Sequence, residues 1–159
     1  MEPGMNTTLL LERMAIHDLL CRFQGTFDLL DWPGMHHCLW ERLHIDYSSF
    51  RDEAPGPMLR EDYIARRQAA LSELKMQHNF SNLLITIDGT AATARCNYQI
   101  HRFSTQDCRG QGDFFHSYGR YFFELAKRDG QWRICAIRQQ LIANHGTPGL
   151  HRAVLTGAT

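Results

Sequence analysis

The sequence predicts a single α+β domain in which N-terminal helices pack into a strongly curved, antiparallel or mixed β-sheet. Three observations carry this. Helical spacing of apolar residues is confined to the first half of the chain, and the second half is a run of long extended segments divided by Asp-Gly and Gly-containing turns. The chain has 159 residues, 43% apolar and 21% charged, which suits one hydrophobic core and no second domain.

After a short polar start, Thr8 is an N-cap candidate, and Ile16, Leu19, Leu20, Phe23, Phe27 and Leu30 recur at three- and four-residue spacing along one helical face. Asp31-Trp32-Pro33 restarts a helix that runs to about Trp40, with Pro33 at the first position, where a missing N–H costs nothing. Residues 43–50 are strand-like, and Ala54-Pro55-Gly56-Pro57 reads as a loop. A third helix over residues 61–74 follows from the spacing of Tyr63, Ile64, Ala70, Leu71 and Leu74. Extended segments then cover 77–87, 91–103, 114–125 and 132–142. Asp88-Gly89, an interruption with Gly110 and Gly112, and Asp129-Gly130 join them as a meander. The domain is placed at 8–144, with 1–7 and 145–159 as terminal extensions, the latter holding Gly146, Pro148 and Gly149.

Composition narrows the function. Seventeen basic residues balance seventeen acidic ones with no basic stripe, which argues against nucleic acid as a partner. The five cysteines (Cys21, Cys38, Cys96, Cys108 and Cys135) are odd in number and lack a C-x-x-C pair, so buried free thiols in a reducing compartment are expected. No secretory pattern opens the chain, and no apolar run approaches the roughly 20 residues of a membrane helix; the expectation is a cytoplasmic protein without a membrane partner. Nine histidines are the compositional oddity, because imidazole titrates near neutral pH.

Four residues stand out as chemistry-bearing: Asp28 near the helix junction, Tyr47, His78 and His101. Each alone also has an ordinary reading, as a capping carboxylate, a packed tyrosine or a surface histidine. Strand alternation puts His78, Phe80, Asn82 and Leu84 on one face, as in a half-polar pocket wall. On the next strand Asn97, Gln99 and His101 share one face and Cys96, Tyr98 and Ile100 the other, and the pattern leaves open which is inside.

The segment Phe27-Asp28-Leu29-Leu30-Asp31-Trp32, then Cys38 and Ile45-Asp46-Tyr47-Ser48-Ser49-Phe50, resembles the corresponding stretch of scytalone dehydratases. Gln77-His78-Asn79-Phe80 is similar to that family's first histidine segment, and residues 98–103 resemble the region carrying its second. Asp129-Gly130-Gln131-Trp132-Arg133 resembles a turn widespread among SnoaL-like proteins. The likeness spans roughly residues 10–140 and implies an NTF2-like cone with a pocket inside it.

By that resemblance His78 takes an α-proton and protonates a departing hydroxyl, His101 assists with Asp28 as its hydrogen-bond partner, and Tyr47 polarises a carbonyl through water. Phe27, Asn82, Tyr121 and Trp32 would contact the substrate, and neither a metal nor an organic cofactor is implied. The sequence departs from the pattern at Phe27, where the family has a tyrosine, and near Gly119 and Tyr121, where it has serine and asparagine; Ser117 or Tyr121 could supply a hydroxyl. The expected activity is therefore a cofactor-independent dehydratase or isomerase acting on a small hydrophobic cyclic hydroxy-carbonyl compound other than scytalone. The alternative is a non-catalytic ligand binder or structural subunit of the same fold. A homo-oligomer, dimer or trimer, is expected if Phe114, Tyr118 and Phe122 lie on the outer face of the sheet rather than inside the cone.

Overall fold

The computed structural model describes residues 7–104 and 113–151. Helix α1 (Thr7–Asp28) begins one residue before the expected Thr8 cap and buries the predicted stripe of Ile16, Leu19, Leu20, Phe23 and Phe27. Leu30 leaves that stripe. It adopts φ +53° and closes a Schellman motif, in which Asp31 N–H donates to the Thr26 carbonyl (2.8 Å) and Leu30 N–H to that of Phe27 (3.2 Å). Helix α2 (Trp32–His36) starts as predicted, with Asp31 as N-cap accepting from Gly34 N–H at 2.9 Å. A Cβ at Gly34 would stand 2.0 Å from that carboxylate, so glycine is required there. The helix stops at His36, short of Trp40, because strand β1 (Leu39–Asp46) takes over.

The Pro-Gly-Pro run is not only a loop. Gly56–Leu59 forms strand β2, antiparallel to β1 with Pro57 opposite His44, and it lies at the sheet edge, where a residue without an N–H is tolerated. Helix α3 (Arg60–Leu71) presents Arg60, Tyr63, Arg67 and Leu71 inward. Strands β3 (Leu74–Asp88), β4 (Ala91–Ser104), β5 (Phe114–Arg128) and β6 (Gln131–Gly146) form the predicted antiparallel meander. Its turns carry the signatures expected of tight hairpins, with Gly89 at φ +58° and Asp129 and Gly130 at +50° and +76°. Strand β1 joins β6 in parallel, giving the mixed order β2-β1-β6-β5-β4-β3.

Three helices thus pack on one mixed sheet, as the sequence predicts, and the described residues give it six strands where five were expected. Bulges in the β3/β4 and β5/β6 pairs bend the strands around the helices. The inner face comprises Ala92, Ala94, Cys96, Tyr98, Ile100 and Arg102 of β4, Phe115, Ser117, Tyr121, Phe123 and Leu125 of β5, and Ile134, Ile137 and Gln139 of β6. Phe114, Tyr118 and Phe122 occupy the outer face, each partly buried. The chain stays ordered past residue 144: β6 runs to Gly146, a 3-10 turn spans Pro148–Leu150, and His151 is buried edge-on against Phe50. Residues 1–6 and 152–159 of the expected extensions lie outside the described residues, as do Cys108, Gly110 and Gly112. Cys38 and Cys96 are buried thiols as expected, but Cys21 is exposed on α1.

Candidate active site

Asp28 is the last residue of α1. A carboxylate at a helix C-terminus opposes the helix dipole, so its position asks for a compensating partner. The Schellman turn ends α1 where that partner stands, on the edge strand β3. The Asp28 carboxylate accepts His78 backbone N–H at 2.9 and 3.0 Å and the His78 ring Nδ1–H at 2.6 Å. One aspartate therefore satisfies an edge-strand N–H that no neighbouring strand reaches, and it also orients the imidazole.

The His78 side chain is 4% exposed and stacks on Phe27, with ring centroids 4.8 Å apart. Burial lowers its pKa, while the bond and charge of Asp28 push the other way; Arg102 and Arg51 add to the lowering. The imidazole is thus neutral at pH 7. Because Nδ1 donates to the carboxylate, the proton-free nitrogen is Nε2, which has no hydrogen-bond partner among the described residues. A base of fixed tautomer faces the interior.

Beyond His78 the cone is lined by phenols and guanidiniums. Tyr47, in the turn after β1, shares a 2.7 Å hydroxyl–hydroxyl hydrogen bond with Tyr63 of α3. Tyr121 packs on Tyr98 with centroids 4.7 Å apart. Burial raises the pKa of Tyr47, raises those of Tyr63 and Tyr121 strongly, and pushes that of Tyr98 up to about 12, so all four are protonated hydrogen-bond donors and not bases. Tyr47 and Phe27 belong to one contiguous core cluster, and His78 stacks on Phe27, which places His78 and Tyr47 in one shared interior.

The predicted residues divide accordingly. Phe27, Tyr47, Tyr121 and the His78 ring are buried in the interior, Asp28 stands at its margin with a side chain 25% exposed, and Trp32, 9% exposed, packs edge-on against Phe27. His101 does not. It sits on the outer face beside His116 (centroids 4.6 Å) and Tyr118, and the aspartate expected to support it supports His78 instead. The reason is strand parity: Ile100 and Arg102 of β4 point inward, so His101 points out. Asn82 is also displaced. It occupies the β3 bulge at φ +55° and is exposed, and the phase change turns Leu84 outward and Ile85 inward.

Sequence reasoning passed over Arg51, Arg67, Arg102 and Gln139, all buried, and read Tyr63 only as a packing residue of the third helix. Tyr63, Arg67 and Leu71 have the i, i+4, i+8 spacing that could have exposed Arg67 as inward-facing. An open groove of about 490 Å³ lies on the outer side of the sheet, lined by His44, Thr86, Arg95, Phe122 and Arg138 among others. It contains no paired acid and base, whereas the interior does. Among the described residues no group of three or more His, Cys, Asp or Glu side chains is arranged to hold a metal ion.

Helices gathered on the inner face of a bent, mixed sheet, with polar groups at the heart of the cone, define the NTF2-like class. Within it, a family model for the SnoaL-like domain matches residues 8–138, and the chain belongs to that family. Among solved structures, the Kfla4162 protein of Kribbella flavida superposes with a TM-score of 0.82 at 22% identity, covering 91% of this chain and 99% of that one. A Novosphingobium aromaticivorans protein provisionally assigned as a scytalone dehydratase gives 0.76 at 19% identity over 98% and 100% of the two chains. A hexachlorocyclohexane dehydrochlorinase, LinA type 2, gives 0.72 at 15% over 89% and 93%. A search of curated proteins finds no significant match.

Proposed function

We propose that the protein is a cofactor-independent acid/base enzyme, a dehydratase or isomerase, acting on a small hydrophobic ring compound that carries a carbonyl and an adjacent leaving or migrating group. The observation that carries this reading is the Asp28–His78 pair, its imidazole buried, with Nδ1 committed to the carboxylate and Nε2 left as the proton acceptor. In the elimination, Nε2 takes the proton α to the carbonyl and the C–H electrons form the enolate. A phenol, Tyr47 or Tyr121, donates to the enolate oxygen. Collapse of the enolate expels the β-hydroxyl, which receives the proton from Nε2 and leaves as water. Asp28 stabilises the transient imidazolium, and Phe27 holds the ring plane by stacking.

The names of two structural neighbours, one provisionally assigned as a scytalone dehydratase and the other a dehydrochlorinase, both describe eliminations and support this reading by analogy of fold. The test is turnover of a panel of cyclic β-hydroxyketones followed by NMR in D₂O. Wild type is expected to eliminate water from, or exchange the α-proton of, at least one member, and His78→Gln to lose about 10²–10⁴-fold in rate. Equal rates in the two proteins would overturn the assignment.

A non-catalytic ligand binder or structural subunit is favoured by a different observation, the dense aromatic filling of the cone by Phe23, Phe27, Phe123, Tyr98 and Tyr121. It predicts no α-proton exchange on any ring ketone.

A further inference from the structure

Three arginines converge inside the cone from three different elements. Arg51 follows the turn after β1, Arg67 lies on α3 and Arg102 on β4, and their exposures are 4%, 0% and 2%. The guanidiniums of Arg51 and Arg67 lie 5.3 and 5.1 Å from the centroid of the Tyr47 ring, and those of Arg51 and Arg102 lie 5.6 and 5.2 Å from that of Phe50. Arg51 therefore shares an aromatic ring with each of the other two, and the three cations form one cluster.

Among the described residues the unpartnered guanidinium nitrogens outnumber the buried acceptors still without a partner, which are Oε2 of Glu53, Oε1 of Gln139 and the Tyr98 hydroxyl. Glu53 accepts from Arg67 Nη2, and Ser117 Oγ accepts from Arg102 Nη1 at 2.9 Å. Asp28 is committed to His78. That leaves Nε and Nη1 of Arg51, Nε and Nη1 of Arg67, and Nε of Arg102 buried without a hydrogen-bond partner among the described residues. A buried cation without a partner is among the most costly arrangements a fold can keep, and guanidinium forks match planar oxyanions. Arg51 and Arg102 still carry their charge at pH 7, burial pushing them down only to about 9 and about 10. The cluster thus holds more buried guanidinium donors than the described residues satisfy, and an added anionic group would meet them.

The surroundings give that group its class. Phe50 and Phe115 stack at 6.1 Å beside Arg102, and Tyr47 and Tyr121 are buried in the core cluster that also holds Phe27, on which His78 stacks. Walls that are aromatic apart from the arginines suit an acid with an apolar body better than a strongly hydrated inorganic oxyanion. Glu53 already serves Arg67, so the unpartnered nitrogens of Arg51 and Arg102, both over the Phe50 ring, are the donors offered to a new acceptor.

We infer that the interior binds an organic carboxylate, with its carboxyl group held by Arg51 and Arg102 and its ring body extending among the aromatic side chains toward His78. As a statement about binding this stands on the arginine cluster. As a statement about the substrate, a ring acid, it rests on the acid/base reading above.

The test compares carboxylates with their amides: benzoate, cyclohexanecarboxylate and 2-naphthoate against the neutral compounds of the same shape, with inorganic phosphate as the ring-free anion. Calorimetric titration and thermal melting are run on the full chain. At least one carboxylate is expected to bind and raise the melting temperature, with its amide and phosphate much weaker. Arg51→Met and Arg102→Met are each expected to weaken carboxylate binding by roughly tenfold or more, as loss of a charge-assisted hydrogen bond does. His78→Gln keeps the binding. Should a methionine variant fail to fold, the lysine variant at the same position retains a charge but not the fork and is expected to show an intermediate affinity. Binding of no carboxylate, equal binding of acid and amide, unchanged affinity in both arginine variants, or tighter binding of phosphate would each overturn the inference. Arginine-dependent binding in a protein whose His78→Gln variant turns over normally would instead sink only the acid/base reading.

Discussion

Asp28, His78 and Tyr47 were legible as residues because each sits in a short motif whose neighbours are also distinctive, and the fold puts all three on the interior side. The pairing among them was not legible. The resemblance assigns Asp28 to His101, and the parity of β4 overturns that, with Ile100 and Arg102 inside, His101 outside and Asp28 bonded to His78. The arginines were missed because a charged residue reads by default as surface, and no local pattern marks a guanidinium destined for burial. Two outcomes belong to this scale. Asp28→Asn removes the group that raises the His78 pKa, so the acid limb of kcat/KM is expected to move to lower pH as the maximal rate falls; an unmoved limb would count against the pair. Gly119 lies opposite Tyr98 across β4 and β5, and a Cβ there would come within 2.1 Å of the Gln140 carbonyl and 2.7 Å of the Tyr98 ring. Gly119→Ala is therefore expected to destabilise the protein by about 1–3 kcal/mol in urea unfolding, as overpacking does.

At the scale of elements, the helices and the four-strand meander could be read because their signals are local: the apolar stripe of α1, the Asp31 cap, and the Asp-Gly hairpins. What could not be read depends on tertiary context. Gly56–Leu59 becomes a strand because β1 offers it a sheet edge, and the β3 bulge at Asn82 reverses the alternation that would have put Asn82 and Leu84 beside His78. The end of α1 is the element-level device that matters for function, because the Schellman turn and the restart at Asp31 fix the direction in which Asp28 points. Asp31→Ala should cost about 1 kcal/mol by loss of the cap, measurable by chemical denaturation, and should lower activity further than that figure alone would suggest. Wild-type activity in that variant would show that α2 does not help to place the carboxylate.

For the molecule as a whole, the interior groups tie stability to pH. His78 and His151 are buried and titrate below the unfolded value of 6.5 in the native state, so the unfolded chain binds more protons as pH falls through and below 6.5. Stability is expected to be greatest near neutrality and to decline on acidification from about pH 6.5, and His78→Gln should flatten part of that decline in pH-dependent thermal melts. The central claim, that Asp28 holds His78 as a neutral base with Nε2 free, is tested most directly by ¹⁵N NMR of the histidine side chains. The His78 signals, assigned by their absence from His78→Gln, are predicted to show a protonated Nδ1 and an unprotonated Nε2 at pH 7, titrating below pH 6.5. A proton on Nε2 at neutral pH, or a titration above 6.5, would contradict it.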